Sequence, residues 1–169
     1  MRDDSQKWDA PFSSDEVLQA PGLTIATLPL DRLTSVNGTR ALAGSDLPVI
    51  GWPDIAPGAA YAVALRRDRI LEVNGPARPD GWDAAQGIGC SDMTDGYHAF
   101  SVTGSAAMEF LRTGAELSLD LPSKSAARLL FGLPAILYRT GEDAFTLIVT
   151  RPQAVAAWHA FGLVLDTDI

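Results

Sequence analysis

The chain has 169 residues, of which 47% are hydrophobic and 20% charged, with a formal net charge of −8. That mixture supplies a real apolar core and excludes the low-hydrophobicity, high-charge signature of disorder. The acidic excess argues against nucleic acid and anionic membranes as partners, and the single cysteine, Cys90, excludes an internal disulfide and a thiolate zinc cage, so no metal site is expected.

Residues 1–20 form an N-terminal arm of little periodicity, in which Trp8 and Phe12 stand out among Asp3, Asp4, Asp9 and Asp15. Aromatics on such an arm point to its lying on a partner or on the domain surface. No basic segment precedes an apolar stretch, and there is no uninterrupted run of about 18 apolar residues, so a cytoplasmic location is expected. Residues 21–169 are expected to make one compact domain, or two intimately packed lobes.

Leu23 to Leu28 alternates apolar with small polar residues and stops at Pro29, as a strand does. Residues 37–58 are rich in Gly and Pro and are expected to run over the surface with short strands at most. Tyr61 to Leu65 and Ile70 to Val73 flank Arg66-Arg67-Asp68-Arg69, which predicts a hairpin. Residues 76–89, with two prolines and several Gly and Asp, predict a loop or a broken helix. Ala99 to Val102 predicts a further strand, and Ser105 is placed to cap a helix ending at Gly114 with Ala107, Phe110 and Leu111 inward. The clearest hairpin is Ala135 to Thr150, with Gly141 available for positive φ. A last helix begins at Thr150, with Gln153 in a capping-box position, and is expected to end at Gly162. Strands in runs with few helices predict an α+β fold with antiparallel strands.

No constellation of nucleophile, base and orienting group stands in recognisable order, and no catalytic residue is assigned. Gly87-Ile88-Gly89 lacks the third glycine of a dinucleotide loop and reads as a turn. Asp92 and Asp95 read as loop acceptors for backbone N–H groups. Ser105 is explained by its capping position, and Cys90 by burial as a small hydrophobe. His159 and Trp158 belong to the last helix, Trp158 in its apolar stripe. Two groups suit a partner surface: Trp52 and Trp82 in Gly/Pro-rich loops, since large amphipathic rings dominate binding hot spots, and Arg66, Arg67 and Arg69, which stand out in an acidic chain.

With these elements placed, the chain resembles the gamma subunit of heterotetrameric sarcosine oxidase, within the folate-binding superfamily of the aminomethyltransferases. The residues that carry the resemblance are Gly89-Cys90-Ser91-Asp92-Met93-Thr94-Asp95, Phe100 to Gly104 with Ala106, Phe110 and Leu111, Gly114 to Asp120, and Ala135 to Val149 with Trp158. It implies the folate-binding aminomethyltransferase fold and a non-catalytic structural or assembly role. The partners it implies are a large alpha flavoprotein subunit and the other subunits of an amine-oxidising complex. Flavins (FAD and FMN), NAD, folate and zinc would then sit in those subunits, with no cofactor in this chain. The alternative is a free-standing folate- or pterin-binding module, with Tyr97, Phe100 and Arg139 as the pocket candidates.

Overall fold

Apolar and β-branched runs become strands through most of the chain. The computed structural model describes residues 16–120 and 123–167, in which twelve strands and two α-helices are assigned. One sheet contains β1 (Val17–Ala20), β2 (Leu23–Leu28), β9 (Tyr97–Thr103), β12 (Ala144–Thr150), β11 (Leu133–Gly141) and β10 (Ala127–Leu130), in the spatial order β1-β2-β9-β12-β11-β10. The other has β4 (Val49–Ile50), β5 (Tyr61–Arg66), β6 (Arg69–Val73), β3 (Leu33–Asn37), β8 (Ile88–Asp92) and β7 (Gly81–Asp83), also in that spatial order. Every pairing is antiparallel except β4 with β5. The α+β class expected from the order of elements is the class observed.

Strand alternation sorts the core into layers. Phe100, Val102, Leu137, Phe145 and Leu147 leave one face of the first sheet to meet Phe110 and Leu111 of α1 (Ala107–Gly114) and Ala157 and Phe161 of α2 (Ala154–Leu165). Ala99, Ile136, Tyr138 and Ile148 leave the opposite face and meet Leu33, Val63, Leu71 and Val73 of the second sheet. Beyond that sheet lies a thinner layer of Val36, Ala62, Ile70, Ile88 and Cys90, covered by Ala41 and Leu47. Burying each large side chain contributes roughly 1.5–3 kcal/mol, which is why β5, covered on both faces, is a continuous apolar run instead of an alternating one.

Several local expectations are corrected. Val17–Ala20, in the arm expected to lie on a partner or on the domain surface, takes regular structure as an edge strand paired with β2; residues 1–15, with Trp8 and Phe12, lie outside the described residues. Within residues 76–89, expected to be a loop or a broken helix, Gly81–Asp83 and the start of Ile88–Asp92 form the β7–β8 hairpin, and Gly89-Cys90-Ser91-Asp92 is strand paired to β3. Ser105 does not cap α1: the flanking residue is Ala106, whose N–H donates to the Gly22 carbonyl at 2.9 Å. Gly162 does not end α2, which runs on to Leu165.

Positive φ also appears elsewhere than predicted. Gly141 does not adopt it; Phe131 (φ 51°) and Gly132 (φ 77°) do, in the two-residue turn that joins β10 to β11. Phe131 is held there by its ring, which packs 5.4 Å from Phe110 and 5.6 Å from Phe161 between centroids, and by its N–H on the Gly114 carbonyl.

Candidate functional site

The folate-pocket candidates do not converge. Tyr97 and Phe100 alternate along β9, so Tyr97 packs toward the second sheet while Phe100 lies, fully buried, under α2. Phe100 stacks on Trp158 at 5.7 Å and meets Phe161 edge-on at 5.3 Å. Arg139 is tied to the loop beside it, its two terminal nitrogens donating to the carbonyls of Pro53 (3.3 Å) and Glu142 (3.1 Å). Its Nε is buried with no acceptor.

Nor, among the described residues, do His98, Cys90, Asp92, Asp95 and Ser105 come together as a reacting centre. His98 is the second residue of β9 and Ser105 lies beyond its far end, a strand length of about 20 Å apart. Burial and the nearby Arg151 lower the His98 pKa and favour neutral imidazole. Burial raises the Cys90 thiol, which disfavours the thiolate. Asp92 accepts from both the hydroxyl (2.6 Å) and the N–H (2.9 Å) of Thr94, which lowers its pKa, and the Thr94 hydroxyl in turn accepts from Leu33 N–H at 3.0 Å. Asp95 is exposed, 4.0 Å from Arg151. His159 is exposed on α2. Among the described residues no group of three or more His, Cys, Asp or Glu is arranged to hold a metal ion.

Of the residues proposed for a partner surface, Trp52 is corrected to a core residue. It is 3% exposed, its indole N–H donates to the Ser118 carbonyl at 2.8 Å, its ring stacks on Phe145, and the Arg128 guanidinium lies 5.7 Å over it. Trp82 stands out on the edge strand β7, 67% exposed. Arg66, Arg67 and Arg69 are exposed at the β5–β6 turn; Arg69 Nε is held by Asn37 Oδ1 at 2.6 Å, whereas Arg66 only approaches Asp68, at 4.0 Å.

Three features were not found in the sequence. A groove of about 690 Å³ is lined by Arg66, Arg67 and Lys124 together with the apolar Ile50, Ala64 and Leu65. The fully buried Glu72 receives Nε and Nη2 of Arg78, each at 2.8 Å, and the Ser45 hydroxyl, also at 2.8 Å. That bidentate pair clamps the 74–80 connection onto the second sheet. Third, α2 contains no Asp, Glu, Lys or Arg, yet Val155 (41%) and Leu163 (69%) are exposed along it. Apart from the exposed His159, the helix is apolar around its circumference, a pattern that belongs to buried helices. The sequence did carry this last signal, in the uncharged run from Ala154 to Leu165.

The sequence matches no protein-family model and no curated protein. The fold has a solved relative. A chain of the heterotetrameric sarcosine oxidase from Corynebacterium sp. U-96, determined in complex with pyrrole 2-carboxylate, superposes with a TM-score of 0.68 at 14% identity, over 90% of this chain and 88% of that one. The likeness establishes the fold. It spans both sheets instead of a shared local motif, since nine-tenths of the chain is aligned. No helix among the described residues is long and apolar enough to cross a membrane.

Proposed function

We propose that this chain is a non-catalytic, gamma-type subunit of a multi-subunit amine-oxidising complex of the sarcosine oxidase kind. The complex would demethylate sarcosine or a related N-methyl amine oxidatively. The likeness along nearly the whole chain to a chain of a heterotetrameric sarcosine oxidase supports this reading. The observation that carries it is the uncharged helix α2, whose outer residues Val155 and Leu163 are left bare on a chain with 21 acidic residues to draw on. Such a face is stable in water only at a hydrophobic penalty that a neighbouring subunit removes. Flavin, NAD, folate and zinc chemistry would belong to the other subunits, and a cytoplasmic location is part of the same proposal. The folate-module alternative gains no support from the arrangement of Tyr97, Phe100 and Arg139, which do not face one cavity.

The test is purification of the tagged chain from its native host. Co-elution with a larger flavoprotein that oxidises an N-methyl amine is the expected result. Recovery of the folded chain alone, with amine oxidation unimpaired when its gene is deleted, would overturn the reading.

A further inference from the structure

The groove beside the β5–β6 turn combines apolar and cationic residues. The wall is apolar, formed by Ile50, Ala64 and Leu65, and both Leu42 (41%) and Val49 (38%) remain exposed along it. Arg66, Arg67 and Lys124 also line the groove, and among the described residues no carboxylate does, although the chain carries a net charge of −8. Among the described residues Arg67 and Lys124 enter no ion pair or hydrogen bond, and Arg66 has only its 4.0 Å approach to Asp68.

Lys124 is built into place. Ser123 N–H donates to the Trp52 carbonyl at 3.0 Å, Ser125 Oγ to the Leu65 carbonyl at 2.7 Å, and Ala126 N–H to the Ala64 carbonyl at 2.8 Å. Gly51 lies under this segment with no room for a side chain, since a Cβ there would stand 2.8 Å from the Lys124 Cα. The backbone that carries this cation is therefore fixed against Ala64 and Leu65, the residues that lead into the arginines.

Unpaired cations over an apolar wall match a ligand whose carboxylates flank apolar side chains. A small-molecule site would enclose most of its ligand, whereas Leu42 and Val49 stay open here and the groove lies along β4, an edge strand. An extended chain fits that geometry better. We infer that this groove docks an acidic, apolar segment of the partner polypeptide, with Arg67 and Lys124 receiving its carboxylates and Leu42 and Val49 its apolar side chains. The inference rests on the subunit reading and adds to it which surface is used and what chemistry it meets.

The probe is the flavoprotein that co-purifies with the tagged wild-type chain. Arg67→Glu combined with Lys124→Glu, and separately Val49→Asp, are expected to weaken its retention about tenfold or more. Replacing both cations by Gln should remove most of the salt dependence of association, because exposed charges are screened over about 8 Å at physiological salt. Thermal unfolding of each variant shows whether the fold is intact, and the Gln pair decides the matter if a charge reversal unfolds the chain. Wild-type retention and salt dependence in the folded variants would overturn the groove and leave the subunit reading standing. Failure of the wild-type chain to retain any flavoprotein would overturn both.

Discussion

Glu72 and Arg78 form a bidentate ion pair in which the carboxylate is wholly buried and the guanidinium side chain only 17% exposed. The hydrogen bonds to Glu72 raise the Arg78 pKa, against the opposing effect of burial. Removing one partner strands a buried charge, so Arg78→Met is expected to destabilise the chain by about 3–5 kcal/mol. Adding Glu72→Leu should recover most of that loss, because a buried pair replaced by apolar residues of similar volume is often neutral. Chemical denaturation of the two single variants and the double variant gives the coupling. A double variant as unstable as Arg78→Met would show that the pair itself, and not the stranded carboxylate, supplies the stability.

Across the interface between the sheets, the hydroxyls of Tyr61 and Tyr138 meet at 3.0 Å with the rings edge-on. Burial raises both phenols above their ordinary value, most of all Tyr138. The folded chain therefore keeps both protons at pH values where the unfolded chain releases them. This contribution is fully present below about pH 10, the unfolded tyrosine value, and declines as pH rises above it. Denaturation midpoints measured on both sides of that pH should fall on the alkaline side for the wild type. Tyr61→Phe with Tyr138→Phe should flatten that slope. Tyr138→Phe alone leaves the Tyr61 hydroxyl without its partner and is expected to cost about 1–2 kcal/mol at neutral pH.

The strands that carry the core were legible because their apolar residues are contiguous: β5, β9 and the β11–β12 hairpin could be placed from sequence alone. The strands that were missed carry weak local signals, whether their partner is distant, as for β8, or adjacent, as for β10. β8 depends on β3, with Val36 opposite Cys90, and its Gly and Ser content conceals it. β10 is joined to β11 through Phe131 at positive φ, a conformation a phenylalanine adopts here because Phe110, Phe161 and Gly114 receive its ring and backbone. Surface residues divide in the same way. Arg66, Arg67 and Trp82 are exposed as their loop positions suggested, but Trp52, in an equally Gly/Pro-rich stretch, is drawn into the core by Ser118 and Phe145. Lys124 gave no signal, since only the contacts of Ser123 and Ser125 bring it to the arginines.

The start of α1 separates two explanations that the sequence could not. Ser105 makes no side-chain capping bond, whereas Gly104 has φ 113° and a Cβ there would collide with the Gly22 carbonyl oxygen. Ser105→Ala is therefore expected to shift stability by no more than about 0.5 kcal/mol, and Gly104→Ala to destabilise by roughly 1–3 kcal/mol through backbone strain. Thermal unfolding of the two variants compares them directly. A larger loss from Ser105→Ala would restore the capping explanation.

The bare face of α2 leads to a prediction in which folding and assembly respond oppositely. Ala154, Ala157 and Phe161 fasten the helix to the first sheet and are fully or almost fully buried, so Phe161→Ala should cost about 3–5 kcal/mol whatever else is present. Val155 and Leu163 make no comparable contribution to the isolated chain, because more than a third of each side remains in water. Val155→Asp with Leu163→Asp should leave the unfolding midpoint of the isolated chain within about 0.5 kcal/mol of wild type and reduce its tendency to self-associate. In a complex, the same pair places two carboxylates against an apolar surface that cannot hydrate them, and assembly should fail. Size-exclusion chromatography of the free chain and co-purification from the native host measure the two effects separately. A variant that assembles like the wild type would show that α2 faces solvent in the assembly, and that its lack of charge has another origin.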